Sequence, residues 1–282
     1  MVDTPRTIRS FVAATKPWLE KKGVDNARLD AELLVAHALG VKRIELFMDL
    51  DRPLSDDEIA GVRELVRRRG QREPIALILG AREFFGLSFI VTKDVLVPRP
   101  ETEHLVELAL ARTAADEDAL FVDVCTGSGC VALAILAHRP KQRAIATDVS
   151  PKALAVARDN ASKLGVADRV DFREGDLLQP LAGDAGDVAF IVGNPPYIRA
   201  DERASLAPEV RDHEPSLALF GEGDDGLGHH RRILEQARPV NARFVALEIG
   251  AGQGDACRAL GAVVHKDLAG LERVAVFERP SQ

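Results

Sequence analysis

From Ala119 onward the chain alternates short apolar runs with amphipathic segments, and this alternation limits the fold more than any other feature of the sequence. The apolar runs are Leu120–Val124, Ala144–Thr147, Val170–Arg173, Val188–Val192, Phe244–Glu248, Ala262–His265 and Arg273–Phe277. Between them lie helical patterns at Gly129–His138, Pro151–Leu164, Gly228–Ala237 and Gly252–Leu260. Continuous apolar strands separated by helices imply a mostly parallel sheet covered on both faces. The last two strands are joined by a short polar turn and are expected to run antiparallel. The fold class expected is α/β, a Rossmann-like sheet of seven strands, with a small helical domain ahead of it.

That helical domain is legible from its punctuation. Thr7 to Lys22 has helical spacing and stops at Gly23, with Pro17 expected to kink or split it. Asn26 is placed to cap a second helix through Leu39, ended by Gly40. Ser55 and Glu58 form a capping box for a third helix running to Arg69. The arginines 67–69, with Arg72, have two readings: a surface for an acidic partner, or the cationic last turn that a helix dipole favours. Next, Glu83–Phe85 and Ser88–Val91 flank Gly86-Leu87 as a hairpin. In Val97-Pro98-Arg99-Pro100-Glu101-Thr102-Glu103 two prolines hold the chain extended before a helix begins. This segment is either a rigid linker or a wall of the active site. The expected domains are 1–76 (helical, substrate-binding), 77–100 (hairpin linker) and 101–282 (catalytic).

A net charge of −7 argues against a protein that wraps nucleic acid, because phosphate neutralisation demands a basic face. Cys125, Cys130 and Cys257 have neither zinc-site nor disulfide-framework spacing and are expected to be reduced thiols; no metal is expected. The first six residues lack a signal-peptide layout, and no apolar run nears the roughly 18 residues of a membrane span. A cytoplasmic, monomeric protein without membrane contact is the expectation.

The first sheet strand runs into Asp123-Val124-Cys125-Thr126-Gly127-Ser128-Gly129. Gly127 and Gly129 permit a sharp turn, and the following helix offers free N–H groups to a ligand. Asp148, about 20 residues on, stands where a carboxylate accepts ribose hydroxyls, with Ser150 capping the next helix and steadying it. Asp176 is placed to accept an adenine amino group and Leu177 to pack on the ring. A dinucleotide site is the competing reading, but Ala132 stands where its third glycine belongs. Asp123 suits the ammonium of a methionine moiety better than a pyrophosphate. S-adenosyl-L-methionine, leaving as S-adenosyl-L-homocysteine, is therefore the favoured cofactor.

After the fourth strand comes Asn194-Pro195-Pro196-Tyr197, at the strand edge that lines the ligand crevice. The Asn194 side-chain carbonyl and the Pro195 backbone carbonyl can accept both hydrogens of one –NH2 group, and Tyr197 can cover its flat face. An amide or aniline-type nitrogen is a poor nucleophile because its lone pair is delocalised. Two fixed acceptors orient it and stabilise the charge that develops on attack. His229-His230 lacks metal-ligand spacing and reads as surface, while Arg211 and Glu214 read as pocket-shaping residues or a pair on its rim.

On this tetrapeptide, and on Arg72–Ile75, Gly80–Leu87, Val97–Glu103, Glu214-Pro215 and Asp267–Arg273, the chain resembles the HemK/PrmC family over nearly its full length. These are the glutamine methyltransferases of peptide chain release factors. The resemblance implies N5-methylation of the glutamine in the Gly-Gly-Gln motif of class I bacterial release factors, with the helical domain helping to grip that partner. It implies a cofactor site at Cys125–Gly129, Asp148, Leu177 and Asn194, and a glutamine site at Asn194, Pro195, Pro196 and Tyr197. Cys125 replaces a common glycine, and Leu177 an aromatic. The alternative is a methyltransferase of DNA or RNA base amino groups, N6 of adenine or N2 of guanine, which would have to expose its base. No stable nucleic-acid binding is expected. A non-catalytic scaffold is a third reading, disfavoured by the intact Asn194 site.

Overall fold

Parallel strands place their carboxyl ends on one edge, and six of the seven strands in the main sheet do so, around a single switch in strand order. The computed structural model describes residues 7–181 and 188–279; the opening hexapeptide read above for a leader, and the outer ends of the expected domains, lie outside them. The chain divides into two compact units. One comprises the residues up to Gly80 with Ala207–His213, the other Ala81–Leu206 with the residues from Glu214 on.

The first unit is helical. Its helices are α1 (Ile8–Lys21), α2 (Ala27–Ala38), α3 (Arg43–Leu46), α4 (Asp56–Gly70) and α5 (Ile75–Leu79). Pro17 does not split α1; the helix is continuous through it. Ile8, Phe11, Thr15 and Leu19 are buried along one face, on both sides of the proline, so packing outweighs the one lost backbone bond. Asn26 precedes α2 as expected but makes no side-chain capping bond. The Ser55–Glu58 box is formed, at 3.2 Å and 2.9 Å.

The second unit opens with the hairpin β1 (Ala81–Phe84) and β2 (Leu87–Ile90). Its turn is Phe85-Gly86, not Gly86-Leu87: Phe84 pairs with Leu87, and both turn residues have positive φ (50° and 72°). That is the twist a two-residue hairpin turn requires. Buried Asn160 anchors the hairpin, accepting from Ile90 N at 2.6 Å and donating to the carbonyls of Ile90 and Ser128. After a 3-10 turn at Pro100–Thr102 the chain continues through α6 (Glu103–Ala111), β3 (Leu120–Val124), α7 (Cys130–His138), β4 (Arg143–Asp148), α8 (Pro151–Leu164), β5 (Val170–Glu174) and β6 (Val188–Gly193). There follow α9 (Pro208–His213), α10 (Gly228–Ala237), β7 (Phe244–Glu248), α11 (Gly254–Ala259), β8 (Val263–Lys266) and β9 (Glu272–Glu278).

The sheet order is β5-β4-β3-β6-β7-β9-β8. Every pairing is parallel except those of β9, which runs antiparallel to both β7 and β8. Strand order reverses about β3, so a crevice opens at the carboxyl ends of β3, β4 and β6. Register fills that crevice: Val124 lies opposite both Thr147 and Gly193, which brings the loop after β3, Asp148 and Asn194 to one edge. Apolar layers cover both faces. On one of them Phe121, Phe190 and Phe244 stack at 4.9 Å and 5.1 Å. Burying each such ring is worth roughly 1.5–3 kcal/mol.

Arg67, Arg68 and Arg69 form the cationic last turn of α4, as the second reading has it, and these arginines and Arg72 also meet carboxylates of their own unit. Arg67 pairs with Glu64, Arg68 with Glu73, and buried Arg69 with Asp30 at 2.7 Å and Glu209 at 3.0 Å. Arg72 grips both oxygens of Glu209 through Nε and Nη2. Glu209 belongs to α9, which is how that short helix clusters with the helical unit.

Candidate active site

The loop between β3 and α7 is shaped by three residues with left-handed backbone, Cys125 (φ 58°), Gly127 (φ 56°) and Gly129 (φ 81°). Cys125 thus holds a conformation that glycine adopts more readily. Thr126 N donates to Thr147 O at 3.0 Å, tying the loop to β4. Asp123 is buried; its Oδ2 accepts from Thr126 Oγ1 at 2.7 Å and from Ala132 N at 3.1 Å. Burial pushes its carboxyl up to about 7, against those two hydrogen bonds. Burial raises the thiol of Cys125 well above its usual value and that of Cys130 to about 12.

Asp148 closes β4 with both oxygens engaged. Oδ2 accepts from Gly127 N and Oδ1 from Ser150 N, each at 2.9 Å. Burial raises its pKa, and these backbone donors oppose the rise. Ser150 also caps α8, accepting from Ala153 N. Leu177 is buried with φ 53°, its carbonyl held by Thr147 Oγ1 at 2.8 Å. Asp176 pairs through Oδ2 with Arg232 and with Gln179, so one of its oxygens is already engaged.

Gly193 precedes the tetrapeptide where a Cβ would stand 2.5 Å from the Val124 carbonyl oxygen, so only glycine fits. Asn194 Nδ2 donates to Thr102 Oγ1 at 3.3 Å. Tyr197 donates its hydroxyl to Glu248 Oε1 at 3.0 Å, and burial beside that carboxyl holds its proton on. The Tyr197 carbonyl accepts from Gln253 Nε2. At Gly226 a Cβ would lie 2.2 Å from the same carbonyl. The tetrapeptide is therefore clamped from two sides.

One cleft gathers Asp123, Cys125–Ser128, Asp148, Asp176, Leu177, Asn194 and Pro196. Gly129 is not on its wall; its backbone starts α7 behind the loop. Neither Pro195 nor Tyr197 is on it either; Tyr197 bounds an adjoining hollow with Ile198, Gly250, Gln253 and Arg273. Pro98, Arg99 and Thr102 do line the cleft, so the proline-rich segment is a wall as well as a connection. Arg99 Nη2 reaches both oxygens of nearly buried Glu214 at 2.7 Å. The expected partnership of Arg211 with Glu214 is not formed; Arg211 pairs with Asp212.

The two histidines read as surface are not at the surface. His229 lines the cleft, and His230 is fully buried. His230 Nε2–H donates to the Glu248 carbonyl at 2.8 Å, and burial holds its pKa at about 4, down from 6.5. The depressed folded value means the unfolded chain binds a proton there that the folded chain refuses. Stability from this group is complete above about 6.5 and is lost as pH falls toward 4, roughly 3 kcal/mol in all. Denaturant unfolding should therefore show wild type losing more stability than His230→Gln between pH 7 and about 5. Equal losses would show that His230 does not contribute.

Glu248 and Asn160 escape sequence reasoning, as does the pairing of Arg99 with Glu214. Glu248 carries a usable signal, being a lone acid at the end of an otherwise apolar strand. Asn160 gives none, since its partners lie far away in sequence.

Comparison with known proteins bears on the family and the fold. A model of the PrmC N-terminal domain matches residues 13–80, and one of the methyltransferase small domain matches residues 103–210. A release factor glutamine methyltransferase of Geobacter sulfurreducens is 43% identical, over 88% of this chain and 86% of its own length. That of Cereibacter sphaeroides is 45% identical over 94% and 91%, and that of Nitratidesulfovibrio vulgaris 39% over 97% and 95%. Among solved structures, the hMettl16 catalytic domain in complex with the MAT2A 3′UTR hairpin 1 shares the fold, with a TM-score of 0.54 at 16% identity over 81% of this chain and 83% of that one. Among the described residues no helix is long and apolar enough to cross a membrane. By its identity to these relatives over nearly all of its length, the chain belongs to the release factor glutamine methyltransferase family.

Proposed function

We propose that this chain methylates the side-chain amide nitrogen of the glutamine in the Gly-Gly-Gln motif of class I peptide chain release factors. S-adenosyl-L-methionine is the methyl donor and S-adenosyl-L-homocysteine the product. The observation that carries the reading is the position of Asn194: it shares one cleft with the loop after β3 and with Asp148, and its amide nitrogen is turned back toward Thr102. Its carbonyl is then the group available to an incoming amide.

The cleft suits the cofactor by its donor set. Backbone N–H groups opening α7 and the carboxylate of Asp123 suit a charged amino-acid end, Asp148 a ribose, and the Leu177 side chain an apolar ring face. When bound, the cofactor supplies an electrophilic methyl group on a sulfonium. The protein's task is then alignment. Asn194 Oδ1 and the Pro195 carbonyl accept the two amide hydrogens, fix the nitrogen and stabilise the positive charge that grows on it. Such positioning is worth on the order of 7–11 kcal/mol in favourable cases. Pro196 shapes the approach from the cofactor side. Tyr197, its hydroxyl anchored at Glu248, is the residue assigned to cover the amide's flat face. No strong base is needed, since the proton leaves only after nitrogen has become cationic.

In this reading residues 1–76 grip the release factor, 77–100 join the parts, and 101–282 carry out the transfer in the cytoplasm as a monomer. The test supplies purified protein with labelled S-adenosyl-L-methionine and a class I release factor, followed by peptide mass mapping. One added methyl on the Gly-Gly-Gln glutamine is expected. Label on nucleic acid, with none on that glutamine, overturns the proposal.

A further inference from the structure

Two adjacent prolines leave the amide-binding tetrapeptide short of anchors. Pro195 and Pro196 carry no N–H, so neither can donate to a neighbouring strand or loop. The Pro195 carbonyl cannot serve as an anchor, because it is one of the two acceptors assigned to the substrate. The segment has to be fixed from its flanks. Upstream, Gly193 still lies in the sheet, opposite Val124 and Leu247. Downstream, Ile198 N donates to the Leu219 carbonyl at 3.0 Å, and the Ile198 carbonyl accepts from Gly221 N at 2.9 Å. Tyr197 lies between these anchors and the prolines, and a side chain takes up its carbonyl.

That side chain is Gln253, at the start of α11. Its Nε2 donates to the Tyr197 carbonyl at 3.0 Å and to the Asp225 carbonyl at 2.7 Å, while its Oε1 accepts from Gly250 N at 2.8 Å. These partners are backbone groups with fixed roles: a carbonyl accepts and an N–H donates. The carboxamide therefore has one workable orientation, since a flip would set its NH2 against an N–H and its oxygen against two carbonyls. Gly250 in turn seats the Tyr197 ring: a Cβ added there would stand 3.2 Å from Tyr197 Cδ2. One side chain thus joins the end of the tetrapeptide to the loop before α10 and to the turn after β7.

We infer that Gln253 is a positioning residue for methyl transfer: it fixes the downstream end of the tetrapeptide, and with it the direction of the Pro195 carbonyl and the seat of the Tyr197 ring. The inference rests on the reading of the tetrapeptide as the amide site. The Pro196 ring locks one of the torsions between the Pro195 carbonyl and Tyr197, so a shift at Tyr197 is passed on and not absorbed. Gln253, Asp225 and Gly250 do not border the cofactor cleft; they line the adjoining hollow with Tyr197. Loss of Gln253 therefore falls on the alignment of the amide and leaves the cofactor site as it is.

Gln253→Glu keeps the shape but removes both donors, and its carboxylate sets lone pairs against the two carbonyls. With saturating release factor, its single-turnover methyl-transfer rate is expected to fall about 10-fold or more, while the dissociation constant of S-adenosyl-L-homocysteine, measured by calorimetry, stays within about 2-fold. Gln253→Met keeps the length without charge or hydrogen bonds and is expected to lose rate in the same direction. A side chain that only fills space would keep the rate in that variant. Retained cofactor affinity also shows that the catalytic unit is folded. Should Gln253→Glu not fold, Gln253→Met is read alone.

A wild-type rate in either folded variant overturns the inference. So does a loss of cofactor affinity as large as the loss of rate, which marks a general disturbance of the catalytic unit. Asn194→Ala, measured alongside, separates the two levels. If it is slow while the Gln253 variants are not, the role of Gln253 falls and the reading of the tetrapeptide stands. If it too keeps its rate, that reading has failed and the inference fails with it.

Discussion

Asn194→Ala is expected to lower the single-turnover rate of methyl transfer by roughly 10²-fold or more, with cofactor affinity changed far less. The loss falls on the rate because the Asn194 carbonyl has its greatest work to do in the transition state. The amide nitrogen is uncharged before attack and cationic after it, so an acceptor of its hydrogens gains strength as the reaction proceeds. The residue also has little structural duty to confuse the result: among the described residues its one side-chain hydrogen bond, to Thr102, is a long one at 3.3 Å. Gly193 before it and Pro195 after it, which do hold the backbone, are untouched. A single-turnover assay with the release factor checks the effect, and full retention of rate removes Asn194 from the catalytic assignment.

Asp148→Ala is expected to act at the other end of the cleft and on the other parameter. The dissociation constant of S-adenosyl-L-homocysteine, measured by calorimetry, should rise on the order of 10–100-fold, the cost of losing hydrogen bonds to a charged group. Two losses combine. The carboxylate no longer receives the ribose, and it no longer gathers Gly127 N and Ser150 N, each at 2.9 Å, which shape the walls on either side. Saturating cofactor should restore much of the rate, since the amide-binding groups lie on a different strand. Unchanged affinity would show that Asp148 shapes the loop without touching the cofactor.

Asn194 and Asp148 are both legible in the sequence, and for the same reason. Each follows a short apolar strand, and parallel topology puts such positions on one edge whatever the details of packing. The capping box at Ser55 is equally readable, because its two hydrogen bonds join residues three apart. Local chemistry is enough in each case.

Where long-range partners decide, local reading errs in a consistent direction. The arginine run does form the cationic last turn of α4, but its partners, unseen in the sequence, include Asp30 and Glu209, 39 and 140 residues distant from Arg69. His230 reads as exposed beside a helix start, yet the end of β7 covers it and supplies a carbonyl. The motif reveals a use for the Tyr197 ring alone; the hydroxyl answers a buried acid 51 residues away.

Strand and helix order, the mostly parallel sheet and the identity of the two polar groups at its edge are therefore set by the sequence alone, through periodicity and through residues that act on near neighbours. Only the tertiary structure decides which charged groups are paired, which histidine is buried, and that the Tyr197 hydroxyl meets Glu248. The physical reason is that periodicity reports which face of an element is apolar, whereas a hydrogen bond or ion pair requires two atoms within about 3 Å. Chain segments far apart in sequence meet at that precision only once the sheet has closed over them.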